Sequence, residues 1–260
     1  MKIASFNING IRARLPVLLD WLEQAKPDVA LLQELKSTDE TFPRELIEAL
    51  GYQVETHGQK SFNGVAIMSR LPLEDISRGL PGDDSDEQAR YMEGTVIGDK
   101  SAVRVACLYL PNGNPAPGPK YDYKLAWMGR LEACASRLIA TEEPALLAGD
   151  FNVIPQAEDC WDPAVWKEDA LFLPQSREAF RRIESLGFSE AYSIRHPGMQ
   201  EFTFWNYRAG AWNKDHGIRI DHFMLSPAAS DLLLDCQIDT YVRGLGKPSD
   251  HVPIWVRLDG

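Results

Sequence analysis

A chain of 260 residues, 44% of them hydrophobic, can bury a large core, and its length alone is compatible with one large domain or two. A net charge of −11 lacks the basic footprint of a nucleic-acid binder, unless carboxylates gather around a divalent cation that offsets them locally. Cys107, Cys134, Cys160 and Cys236 are widely spaced with no C-x-x-C pair, which argues against a thiolate metal site or a disulfide framework and fits a reducing compartment.

Met1–Lys2 runs directly into "IASFN", a strand pattern, and no apolar run approaches membrane-spanning length. A soluble, cytoplasmic protein that does not engage membranes is expected. Strand-like runs then recur: "KIASF" (2–6), "DVALLQ" (28–33), "GVAIMS" (64–69), "AVRVACLYL" (102–110), "PALLAG" (144–149), "IRIDHFML" (218–225) and "VPIWVRL" (252–258). Helical patterns lie between some of them. Ile11, Leu15, Leu18, Leu19 and Leu22 share one face of a first helix that Lys26–Pro27 ends. "PRELIEALG" (43–51) has Pro at its start and Gly at its end. A third helix, 123–139, carries Leu125, Met128, Leu131 and Leu138 on a stripe, and "REAFRRIESLG" (177–187) also stops at a Gly. No linker, like-charge block or low-complexity run divides the chain, and "LPNGNPAPGPK" (110–120) has the size of a functional loop. A single domain over 1–260 is expected, an α/β fold with sheet flanked by helices.

Several strand runs give out into the same kind of residue. "ASFNING" ends in Asn7 and Asn9, "ALLQELK" in Glu34, and "LLAGDFNVIP" in Asp150 and Asn152. At the other end of the chain, "KPSDHVPIWV" places Asp250 and His251 just before a strand whose Val252, Ile254 and Val256 alternate. Inside a strand these two neighbours would face opposite sides; in the preceding turn they can serve one site. A single Asn or Asp at a strand end is ordinary turn chemistry. Asn7, Glu34, Asp150, Asn152, Asp221, Asp250 and His251 together, with Tyr109 closing another strand, form a hard-ligand set suited to Mg²⁺ or Mn²⁺. Such a set suits phosphodiester cleavage, in which charge builds on phosphate oxygens.

"SFNINGIRAR" (5–14), "LQELK" (32–36), "LYLPNG" (108–113), "GDFNVIP" (149–155), "RIDHFMLS" (219–226) and "KPSDHVPI" (247–254) resemble the ordered motifs of the exonuclease III family of DNase I-like abasic-site endonucleases. The likeness runs from residue 2 to about 258. It implies a four-layer α/β sandwich, two mixed β-sheets packed face to face with helices outside. It also implies a metal-dependent nuclease that cuts 5′ to abasic sites and removes nucleotides 3′→5′ from duplex ends. On this resemblance Glu34 binds the metal, assisted by Asn7, with Asp250 as a further carboxylate and Asp150, Asn152 and His251 close to the ion. Asp150 positions or deprotonates the attacking water, Asn152 and Tyr109 contact the scissile phosphate, His251 binds phosphate and Asp221 orients His251. The general base, Asp150 or a His251–Asp221 pair, and the number of metals stay open.

Two departures from the family pattern stand out. Leu35 follows Glu34 where Thr is common, with Lys36 retained, so a packing change is expected. "FTFWNYRAGAWNKDHGIRID" (202–221) resembles the loop that forms the pocket for a base-less sugar, with Phe204 and Trp205 as its aromatics. Ile218 stands where some relatives carry Trp, and Ile220 is the next apolar wall, so looser discrimination is expected. DNA-contacting cations are expected at Arg12, Arg14, Lys36, Lys60, Lys120, Lys124, Arg208, Lys214 and Lys247. The competing readings are a phosphatase or phosphodiesterase of the same superfamily acting on a small molecule or lipid, and an inactive nucleic-acid-binding module. The protein is expected to act as a monomer.

Overall fold

The computed structural model describes the whole chain, Met1–Gly260. Its strands are β1 (Lys2–Asn7), β2 (Val29–Gln33), β3 (Gln53–His57), β4 (Val65–Ser69), β5 (Leu73–Arg78), β6 (Tyr91–Ile97), β7 (Ala102–Tyr109), β8 (Ala145–Asp150), β9 (Ser189–Glu190), β10 (Asp221–Leu225), β11 (Leu233–Ile238) and β12 (Ile254–Leu258). The helices are α1 (Ile11–Ala25), α2 (Arg44–Glu48), α3 (Pro119–Ile139), α4 (Pro163–Trp166), α5 (Pro174–Ser185), α6 (Ala191–Arg195) and α7 (Pro227–Asp231). They build two six-stranded sheets, in the orders β11-β12-β1-β2-β4-β3 and β5-β6-β7-β8-β10-β9.

Both sheets are mixed, and each contains one parallel pair, β1 with β2 and β7 with β8. A parallel pair needs a crossover, here α1 and α3. Parallel strands also end at the same edge of their sheet, which matters for the site below.

Strand alternation sorts the core into layers. Ile3, Val29, Leu31, Val105, Leu146, Phe223 and Val256 belong to a cluster between the sheets. Ala4, Phe6, Ala30 and Leu32 face the other way, onto Leu18, Trp21 and Leu22 of α1. Leu108 and Leu147 pack with Trp127, Met128 and Leu131 of α3 and Phe180 of α5. Strands covered on both faces read as continuous apolar runs, which is why these were visible in the sequence. The four-layer sandwich of two mixed sheets is therefore present.

Some expectations shift. In α1 the buried face runs through Val17 and Trp21, while Leu15 and Leu19 are half-buried. Trp21 packs edge-on against Phe6 at 5.8 Å and donates from Nε1 to Asp239 at 2.8 Å, and this large side chain sets the rotation of the helix. Helix α3 starts at Pro119, and Lys124 is fully buried on its inner face. Strands β3, β5, β6, β9 and β11 were not expected. β3 and β5 are sheet edges with polar, partly exposed sequences, β6 is interrupted by Glu93 and Gly94, and β9 spans two residues.

Candidate active site

Asn7 pairs with Gln33 at the shared end of β1 and β2, and Tyr109 pairs with Asp150 at the shared end of β7 and β8. Antiparallel neighbours offer their beginnings at the same edge: Asp221, the first residue of β10, pairs with Asp150. The two sheets face each other, so these ends converge. Asn7 bridges them, its amide donating to Glu34 Oε1 at 3.1 Å and to Asp150 Oδ2 at 2.9 Å.

The chain leaves its strands abruptly here. Asn9, Glu34, Lys36 and Asn152 all have left-handed backbone, with φ between +47° and +53°. Side chains other than Gly rarely adopt this conformation, and such positions gather at functional sites. Surrounding bonds hold them: Gly10 N–H donates to Glu34 O at 2.8 Å and Lys36 N–H to Asn63 O at 2.9 Å. Gly149 precedes Asp150 with φ +151°, and a Cβ there would fall 1.9 Å from the Leu108 carbonyl oxygen. Only glycine brings β8 this close to β7 next to Asp150.

Asp250 and His251 lie in the turn before β12, as the spacing predicts. Ser249 Oγ fixes that turn by donating to Asn7 O at 2.8 Å and accepting from His251 N–H at 3.2 Å. His251 Nδ1 is 2.8 Å from Asp221 Oδ2, and Nε2 is 3.7 Å from Asp150 Oδ2. All three residues are buried. Burial pushes the imidazole down, but Asp221 and then Asp150 outweigh it and lift its pKa to about 10. Burial, against the pull of the His251 charge and with help from Asp221, pushes Asp150 up to about 7. The pair therefore favours a proton on the imidazole, and burial makes the Asp150 carboxyl a stronger proton acceptor than an exposed one.

The ligand atoms of Asp150, Asp221 and His251 lie within 4.8 Å of one another, close enough to surround an ion. Both imidazole nitrogens, however, already face carboxylates, an arrangement that stores a proton. Glu34, Asn7, Asn9 and Asp250 form a second candidate for a divalent cation, with hard oxygens and no thiol. The Lys36 ammonium already sits there, 2.8 Å from Glu34 Oε2 and 2.5 Å from Asn9 Oδ1, while Asn9 donates to Asp250 Oδ1 at 2.8 Å. Burial pushes the Glu34 carboxyl up, but Lys36 and the Tyr109 hydroxyl, 2.7 Å from Oε1, together leave it below the usual range and ionised.

The polar groups open into a cavity of about 290 Å³ whose far wall is apolar: Trp166, Leu171, Phe204, Ile218 and Ile220. Phe204 meets His251 edge-on at 5.0 Å, so the two ends touch. A larger depression of about 510 Å³ is lined by Asp39, Glu40 and residues 42–46 alone, one short stretch of chain that includes none of the strand-end residues above.

Of the expected site residues, Tyr109, Glu34, Asp150, Asn152, Asp250 and His251 line this cavity with Phe204, Ile218 and Ile220. Asn7 and Asp221 stand directly behind them through their hydrogen bonds. The Asn152 amide is engaged by Leu110 O at 2.9 Å and by Asn112 Nδ2 at 3.0 Å. Trp205 is a correction. It is 2% exposed in the core beneath α1, donating to Asp215 at 3.0 Å, and it leaves the cavity wall to its neighbour because adjacent residues in extended chain point opposite ways. Lys124 is a second correction: it is buried, and donates to the carbonyls of Asn112 and Asn152 instead of facing solvent. Leu35 packs in the core against Gly64, in keeping with a packing change. Arg12, Lys36 and Lys60 line one exposed groove, and Lys120 shares another with Arg90 and Asn112. Arg208, Lys214 and Lys247 are exposed on loops, and Arg14 donates to Tyr207 at 3.1 Å. The sequence did not point to Trp166, Leu171, Asn114, Asp169 or Asn206 as lining residues, and none of them ends a strand.

Residues 4–251 match the Endonuclease/Exonuclease/phosphatase family. The chain belongs to that family. Exodeoxyribonuclease III of Haemophilus influenzae is 34% identical over 99% of this chain and 100% of its own length. Among solved structures, an AP endonuclease from Archaeoglobus fulgidus superimposes with a TM-score of 0.94 at 35% identity, covering 100% of both chains. The 3′ phosphatase NExo from Neisseria, bound to a product DNA hairpin, gives 0.94 at 34% identity and the same coverage. Members of this family are hydrolytic and depend on divalent metal, and the motif resemblance to the exonuclease III group holds over the full chain.

Proposed function

We infer that this protein is a metal-dependent DNA repair nuclease that hydrolyses the phosphodiester 5′ to abasic sites and removes nucleotides from 3′ ends. One observation supports the reading: a single cavity of about 290 Å³ joins the carboxylate, imidazole and amide groups of Glu34, Asp150, Asn152, Asp250 and His251 to an apolar wall. Its relatives are an exodeoxyribonuclease, an AP endonuclease and a 3′ phosphatase, activities that share breakage of a P–O3′ bond and differ in what remains attached to the phosphorus.

Glu34 and Asp250, with Asn7 and Asn9 beside them, would hold the cation, for which Mg²⁺ is our assignment and Mn²⁺ the substitute. When bound, the ion supplies positive charge against the phosphate oxygens. Asp150, its carboxyl made more basic by burial, accepts the proton of the attacking water. The His251 imidazolium, held by Asp221, donates to a phosphate oxygen, and Asn152 and Tyr109 complete the cradle. Water oxygen bonds to phosphorus, the bond to the departing 3′-oxygen breaks and that oxygen takes a proton from solvent, leaving a 3′ hydroxyl and a 5′ phosphate. Phe204, Ile218 and Ile220 receive the base-less sugar outside the stack. Exposed Arg12, Lys36, Lys120 and Arg208 would contact the DNA backbone.

No helix is long and apolar enough to cross a membrane. We read the chain as one domain, since both sheets share one interior, acting as a cytoplasmic monomer. The test incubates the protein with an abasic-site duplex, an undamaged duplex with a recessed 3′ end and an inositol phosphate, each with and without Mg²⁺. Metal-dependent cleavage of the two DNAs is expected. Hydrolysis of the inositol phosphate alone would assign the site to small-molecule phosphates, and no hydrolysis at all would make the protein a binding module.

A further inference from the structure

The apolar wall of the pocket is aliphatic at Leu171, Ile218 and Ile220, with Phe204 beside them. The fold provides an indole from elsewhere. Trp166, the last residue of α4, lines the same cavity as Phe204, Ile218 and Ile220. It packs against the small apolar cluster of Ile154, Cys160, Leu171, Ile218 and Ile220. Its placement is fixed on either side. Asp162 caps α4 by accepting from Ala164 N–H at 2.9 Å, and Asp169 N–H donates to Trp166 O at 2.9 Å.

One atom of this residue is unexplained by the protein alone. Trp166 Nε1 is shielded from solvent and has no hydrogen-bond partner. An indole N–H can only donate, and buried donors are nearly always paired. A sugar or phosphate oxygen would satisfy it once binding displaces the side chains that shield it. An indole therefore offers what a base-less deoxyribose has to give, an apolar face and acceptor oxygens.

We propose that Trp166 is a specificity-determining residue of this nuclease: its ring packs the extruded base-less sugar and its N–H donates to an oxygen of that same residue. The proposal rests on the nuclease reading above. Trp166 adds an aromatic ring beside Ile218 and Ile220, so selectivity comes from a loop that carries no catalytic group. Chemistry at Asp150 and His251 is common to both substrates and does not depend on it.

The test compares the wild type with Trp166→Phe and Trp166→Ala at one salt concentration. Two rates are measured, cleavage at a tetrahydrofuran abasic analogue in a duplex and release of the 3′-terminal nucleotide from a matched undamaged duplex. Trp166→Ala is expected to lower the ratio of the first rate to the second about 10- to 100-fold, the scale of losing an aromatic contact to a nucleotide. Trp166→Phe keeps a ring and loses the donor, and is expected to lower the ratio about 2- to 10-fold. Thermal unfolding identifies a variant that fails to fold, and the Phe variant, the smaller change, then carries the test. An unchanged ratio, or equal loss of both rates, overturns the proposal and makes Trp166 a packing residue or a general DNA contact. A wild type lacking both activities overturns the nuclease reading itself, and this proposal with it.

Discussion

His251 Nδ1 meets Asp221 Oδ2 at 2.8 Å, at a point shielded from water by both sheets. The contact fixes which imidazole nitrogen carries a proton toward the carboxylate and leaves Nε2 facing the cavity and Asp150. Because Asp221 is the largest influence holding that proton on the ring, removing its charge should be felt at His251.

Asp221→Asn should reduce kcat by a factor of about 10²–10⁴ while the fold is retained, since the amide is isosteric and the lost group acts through its neighbour. The alkaline limb of the pH–rate profile should also move to lower pH, because the imidazole loses its strongest proton-holding partner. Steady-state rates across pH on an abasic duplex check both points. An unmoved limb with full turnover would take the imidazolium out of the chemistry.

Two buried cations give opposite pH signatures in the metal-free protein. The His251 pKa is raised from 6.5 to about 10, so its stabilisation is complete below pH 6.5 and is lost as pH rises toward 10. Burial lowers Lys124 from 10.5 to about 7, so the unfolded chain binds the extra proton between these values and stability rises with pH there. The window for Asp150, from 3.8 to about 7, lies almost wholly below this range. Between pH 7 and 9, below the range where the buried thiols Cys107, Cys160 and Cys236 contribute, the two effects should oppose each other in thermal unfolding of the wild type in EDTA. The profile should slope downward for Lys124→Met, which keeps only the His251 effect, and upward for His251→Asn. Parallel profiles for all three proteins would refute the assignment.

Chelation should abolish cleavage, and Mg²⁺ or Mn²⁺ should restore it. Glu34→Gln keeps the shape of the side chain and removes its charge, so the metal concentration for half-maximal activity should rise by about tenfold or more. Titration of activity against Mg²⁺ measures this. Equal dependence in variant and wild type would move the ion to another carboxylate, with the Asp150–Asp221–His251 set as the next candidate.

Phe204→Ala should reduce cleavage at abasic sites much more than 3′-terminal excision, where the nucleotide leaves the stack more easily. Phe204 lies between Ile218, to which its backbone is hydrogen-bonded at 3.0 Å, and His251. The ratio of the two rates on matched duplexes at fixed salt separates a selective wall from a general contact. Equal loss of both would leave Phe204 as a support for His251.

The sequence by itself determined the layers and most of the reactive groups. Continuous apolar runs such as "VALLQ" and "ALLAG" can only be strands covered on both faces, and a Glu, Asn or Asp at the end of each run marks a strand mouth. Edge strands such as β5 were hidden because one side faces water and their composition follows no simple alternation. Convergence was decided only in three dimensions. Asp150 and Asp221 are direct partners across antiparallel strands, and Asn7 reaches Asp150 across the gap between two sheets, relations that no local pattern encodes. The same holds for which side chain faces the cavity: Phe204 and Trp205 are neighbours of similar chemistry, and extended backbone sends one to the pocket and the other to the core. Trp166 carries no mark in the sequence, since its contribution comes from where α4 docks against Ile218 and Ile220, and docking is set by burial of apolar area among residues distant along the chain.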